Sequence, residues 1–110
     1  ARALRRRVAD HLAATLADGR VALLPTVPAP PPRRDAETAV LEAYRFRAQR
    51  LTCPAGLAGA PQISVPAMRV DGVPIALGLL GAPGTDRTLL AVAHRVAAVL
   101  STHARHRAFT

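Results

Sequence analysis

The sequence predicts an α/β segment built from about three helices, one short apolar strand and a β-hairpin. Three observations lead there. Apolar residues recur at three- and four-residue spacing in three separate stretches, the period of a helix face. A wholly apolar run, Val21 to Leu24, stops at Pro25, and two alternating stretches flank the turn-forming pair Asp71 and Gly72. At 110 residues the chain is one domain or part of one.

The first helix spans Arg2 to Ala17, where Leu4, Val8, Leu12 and Leu16 recur every four positions and Arg5, Arg6, Arg7 and Asp10 occupy the rest of the wheel. Gly19 can take the left-handed conformation common just past a helix end. Val21 to Leu24 shows no polar alternation, so it reads as a strand buried on both faces of a parallel or mixed sheet. Pro28, Pro30, Pro31 and Pro32 then fix φ and remove donors, giving an extended loop that Arg33 and Arg34 carry into solvent. A second helix starts near Asp35 or Thr38 and runs to about Leu51, with Val40, Leu41, Tyr44, Ala48 and Leu51 on one face, and Pro54 is expected to break it. Gly56, Gly59 and Pro61 lead into a strand at Gln62 to Val65. The hairpin turn follows at Asp71 and Gly72, and Pro74 to Leu80 returns with Ile75, Leu77 and Leu79 on one face. Gly78 and Gly81 imply close approach by another backbone or a ligand. Asp86 is expected to cap a final helix carrying Leu89, Ala93, Val96 and Leu100. Residues 1–102 thus form the folded segment, and residues 103–110 a basic tail without periodicity.

Half the residues are apolar, which excludes disorder, but alanine dominates them and the aromatics are only Tyr44, Phe46 and Phe109. All fifteen basic side chains are arginine; the chain contains no lysine. The net charge of +8 raises nucleic acid as a partner, yet the arginines lie in small groups without flanking aromatics to stack on bases, as expected of solvated helix faces. No apolar run approaches the ~20 residues of a membrane span. The single Cys53 cannot form an internal disulfide, which fits a cytoplasmic location.

The order of motifs narrows the reading further. Pro25, Thr26 and Pro28 close the apolar strand; Thr52 to Pro61 reads TCPAGLAGAP; Ser64 to Pro66 reads SVP; Gly72 to Leu77 reads GVPIAL; and Gly84 to Leu90 reads GTDRTLL. In this order they resemble the C-terminal third of the amidase signature hydrolases, over nearly the whole chain up to about Val99. The resemblance implies the C-terminal part of an α/β/α fold around a mixed central sheet. It also implies a serine nucleophile, a bridging serine and a lysine that lie upstream of these residues. That lysine must act as a neutral base, a role arginine cannot take because it stays protonated. The resemblance therefore implies no catalytic residue and no cofactor in this chain. It implies a small-molecule amide substrate in the intact enzyme and, as partner, the remaining N-terminal part of the amidase domain.

Thr26 and Gln49 are the candidate substrate-binding residues, because the resemblance places the strand end and the glycine/proline passage on the substrate side. At Gly56 many members carry an asparagine, and at Gln49 the branch acting on glutamine carries an aspartate suited to an ammonium group. A substrate with a free α-amino group is thereby disfavoured. Ser64 lacks a glycine elbow and reads as an ordinary strand serine. Cys53 reads as a small buried apolar residue. His103 and His106 share a helical face but have no third ligand, so no metal is expected. If the chain is an incomplete domain, its uncovered sheet should self-associate, making a homo-oligomer, or take a partner chain. The alternative is a free-standing basic interaction module binding nucleic acid or a protein partner.

Overall fold

The computed structural model describes residues 1–108. Its elements are helix α1 (Arg2–Thr15), strand β1 (Ala22–Pro25), helix α2 (Thr38–Ala58), strands β2 (Gln62–Val70) and β3 (Val73–Leu80), and helix α3 (Asp86–Ala108). The strands form one antiparallel sheet in the order β1-β3-β2. The mixture of three helices and a small sheet is the α/β architecture the periodicities predict.

The register assigns the side chains to two faces. Ile63, Val65, Leu77 and Leu79 share one face, and Ala22, Leu24, Gln62, Ser64, Gly78 and Leu80 the other. On the first face Val65 and Leu79 pack against Leu89 and Ala93 of α3, with Ile63, Val96 and Leu100 around them. On the second, Leu80 packs with Leu16 and Ala55, joined by Leu12, Ala22 and Leu24, so α1 and α2 cover that end of the sheet. Arg5 on α1 donates from Nε to the Leu57 carbonyl at 3.0 Å, and this ties α1 to the C-terminal end of α2.

The strand at Val21 to Leu24 departs from expectation. It is an antiparallel edge strand whose burial alternates, and Leu23 is 62% exposed. The run of apolar residues is therefore not matched by burial on both faces. Pro54 does not break α2. It removes one backbone donor inside the helix, but Ala55 locks into the Leu16–Leu80 cluster and the helix continues to Ala58. The stop is Gly59, at φ 65°, with the Ala60 amide donating to the Ala55 carbonyl in a Schellman closure.

The hairpin turn is as expected: Asp71 and Gly72 both take positive φ, 51° and 78°, as a two-residue turn between right-twisted strands requires. β2 is longer than predicted because Pro66 and Met68 flank a bulge that carries pairing on to Val70. Asp86 is the first residue of α3 rather than its cap, where its carboxylate still favours the positive helix end. The helix also runs on through the expected tail to Ala108, since alanine and arginine are strong helix formers and nothing before that point stops it. Phe109 and Thr110 lie outside the described residues.

The assembly is a plate. Its extents are 49 × 39 × 16 Å and its radius of gyration 16.2 Å, against about 13 Å for a compact chain of this length. Its accessible surface is 8363 Å², against about 5,800 Å² for a compact monomer of this mass. Leu79 is fully buried at the centre, so Leu79→Ala should lower the urea-unfolding free energy of the chain by about 2–4 kcal/mol. Leu23→Ala should change it by no more than about 0.5 kcal/mol, and equal effects would contradict this packing.

Candidate functional site

Beyond the seal made by Leu16, Ala55 and Leu80, the second face of the sheet turns polar. Gly78 in β3 stands between Leu24 of β1 and Ser64 of β2. A Cβ there would lie 3.0 Å from the Leu24 carbonyl oxygen, 3.1 Å from Gln62 Nε2 and 3.2 Å from Thr26 Cγ2. Side chains from both flanking strands thus converge on the notch that the glycine leaves. The close approach expected at Gly78 is real, and its agents are Thr26, Gln62 and the β1 backbone. Gly81 is equally constrained, since a Cβ would meet Thr85 Oγ1 at 2.8 Å.

Thr26 follows the last residue of β1, and its half-buried hydroxyl donates to the Ala76 carbonyl at 3.4 Å, a long hydrogen bond. Gln62 Nε2 is buried and has no acceptor. Gln62 was not foreseen as a site residue. The only sequence signal was a carboxamide opening an apolar strand, and its approach to Thr26 depends on a register that is invisible before β1 and β2 are known to flank β3.

Gln49 does not join this group; it is exposed on α2. Cys53 is also exposed on α2, not the small buried residue expected, because the buried stripe of that helix passes through Leu51 and Ala55 instead. Ser64 is exposed in mid-strand. His11, His94 and His103 are all exposed, and His106 lies outside the residues whose side chains are described. Among the described residues no three metal-ligating side chains gather. The ion pairs are likewise local and exposed: Arg33 reaches Asp35 at 3.0 Å and Arg45 reaches Glu42 at 3.1 Å. The Arg33 guanidinium holds the Asp35 carboxyl below its ordinary range. A separate, largely apolar cavity of about 260 Å³ lies between the α1–β1 turn and the start of α3, lined by Leu16, Val21, Ala82 and Leu89, and no candidate residue enters it. The notch at Gly78 offers hydrogen-bond donors and acceptors but no base, so it can orient a polar group and cannot activate a nucleophile.

The sequence model of the amidase family matches residues 1–90. The chain belongs to the amidase signature family. It is 41% identical to Amidase 1 of Oryza sativa subsp. japonica over 90 residues, which is 82% of this chain and 21% of the rice protein. It is 33% identical to Amidase 1 of Arabidopsis thaliana over 99 residues, 90% of this chain and 23% of that protein. A crystal structure of an amidase superposes with a TM-score of 0.79 at 32% identity, covering 89% of this chain and 24% of the other. The chain therefore spans between a fifth and a quarter of the length of these amidase relatives. No helix among its described residues is long and apolar enough to cross a membrane.

Within this amidase segment two glycines make opposite demands. Gly78→Ala should destabilise the chain by about 1–3 kcal/mol, because the methyl group meets fixed backbone at Leu24. Gly56 sits inside α2 with nothing within 4 Å of its would-be Cβ, so Gly56→Ala should stabilise by up to about 1 kcal/mol. Urea midpoints of the two variants test both signs.

Proposed function

We propose that this chain is the C-terminal part of an amidase that hydrolyses linear carbon–nitrogen bonds of small amides, with its serine–serine–lysine machinery on the part of the domain upstream. The observation that carries this reading is the coincidence of a family match over residues 1–90 with a basic complement made entirely of arginine. Amide hydrolysis by this route needs a neutral lysine to take the proton relayed from the nucleophile through the bridging serine. A guanidinium, which stays protonated across the physiological range, accepts none. These residues contribute the scaffold, and Thr26 forms part of a cleft wall that binds the amide. The catalytic part of the domain covers the plate, which explains why so much apolar surface, including Leu23 and Phe46, is left open here.

The test compares two proteins. The purified 110-residue chain should release no ammonia above background from a panel of simple amides such as acetamide and benzamide, while the full-length amidase that carries this segment should do so with saturation. Saturable release by the chain alone overturns the proposal. Steeply salt-dependent binding to DNA or RNA by a monodisperse, cooperatively unfolding chain would replace it with a basic interaction module.

A further inference from the structure

We propose that Gln62 is a positioning residue for Thr26, a role that rests on the amidase reading above. The starting point is an imbalance in hydrogen bonding. Gln62 Nε2 is a buried donor without an acceptor, a state that disfavours the arrangement. A few ångströms away Thr26 spends its one hydroxyl proton on the Ala76 carbonyl, at 3.4 Å. Its methyl group, not its oxygen, faces the Gly78 notch where the Gln62 amide ends.

A threonine hydroxyl has one proton to give and two lone pairs to offer. A one-third turn about χ1, in the one sense that carries Oγ1 to the place Cγ2 now holds and Cγ2 to the place of the β-hydrogen, brings the oxygen to the notch that Gln62 Nε2 already borders. There Oγ1 accepts from Nε2, the orphaned donor is satisfied, and the Thr26 proton leaves Ala76 and becomes free for an outside acceptor. The chemistry that recognises such a donor is a carbonyl oxygen of a neutral amide, the substrate class of the parent reading. Gly78 is what permits the turn, since any side chain there would occupy the point on which both groups converge. Gln62 thus determines whether Thr26 is a donor tied to its own sheet or one turned toward the substrate, and it does so without touching substrate itself.

A double-mutant cycle in the full-length enzyme tests this. Thr26→Val keeps the shape and removes the hydroxyl, and Gln62→Leu is one atom shorter but keeps an apolar stem in place and removes the donor, so both variants should fold. Each single substitution should raise KM about fivefold with kcat little changed, the effect of one lost hydrogen bond to an uncharged partner. The double variant should also stand near fivefold, because either change alone already removes the same contact. A double variant near the product of the two, about twenty-five-fold, overturns the proposal. So does a Gln62→Leu enzyme whose KM is unchanged, or one whose only defect is a lower melting temperature. If the wild-type full-length enzyme hydrolyses no amide, the amidase reading fails. The cycle is then read from calorimetric binding of benzamide, with additive losses or no binding counting against Gln62.

Discussion

Everything in this structure hangs on β3. It is the one strand paired on both edges, to β1 through Ala22–Pro25 and to β2 along most of its length. Its alternating side chains also serve two cores, with Leu79 facing α3 and Leu80 facing α1 and α2. A one-residue slip of β3 would exchange those faces, placing Leu79 against Leu16 and Gly78 beneath α3. The register is held by the positive-φ turn at Asp71 and Gly72 on one side and by Gly78 on the other, where only a residue without a side chain passes the β1 backbone. The fold and the candidate site therefore share one constraint, because the glycine that lets β1 close onto β3 also leaves the notch that Thr26 and Gln62 fill.

Much of this was legible in the sequence because it is local. The Leu89, Ala93, Val96, Leu100 spacing of α3 and the Asp71–Gly72 turn both depend on periods or torsions that neighbouring residues dictate. What could not be read depended on partners distant in sequence. Val21 to Leu24 is an apolar run whichever surface it meets, so its composition carried no record of being an edge strand here. Pro54 breaks a helix only if tertiary packing does not hold the next turn, and Ala55 in its cluster does hold it. The Gly78 notch was only partly legible for the same reason. Thr26 was named from a motif at a strand end, whereas Gln62 stands out only once β1 and β2 are seen to bring Thr26 and the Gln62 amide to the same glycine from opposite sides of β3.

The shape of the plate carries the functional argument further than any single residue. An 11.6 kDa chain that exposes some 2,500 Å² more than a compact monomer is short of cover, by roughly the area that a large obligate interface buries. Leu4, Leu23, Phe46, Leu57 and Val99 are all more than two-fifths exposed, on α1, β1, α2 and α3. Such open apolar surface is consistent with a chain that spans about a fifth of the rice amidase's length.

Scaffold and chemistry are then separable in this family segment for a definite reason. Base catalysis depends on a group that exchanges a proton near neutrality, most often histidine, with perturbed acids, lysine, tyrosine or cysteine as the other choices. The described histidines here are exposed and the basic residues are guanidinium groups that never deprotonate. Substrate orientation asks for much less: a hydroxyl or amide fixed by a rigid strand, with its competing partners controlled. The sheet supplies rigidity through β3, and the proposed work of Gln62, whose buried amide has no partner, is control of competing hydrogen-bond partners rather than proton transfer.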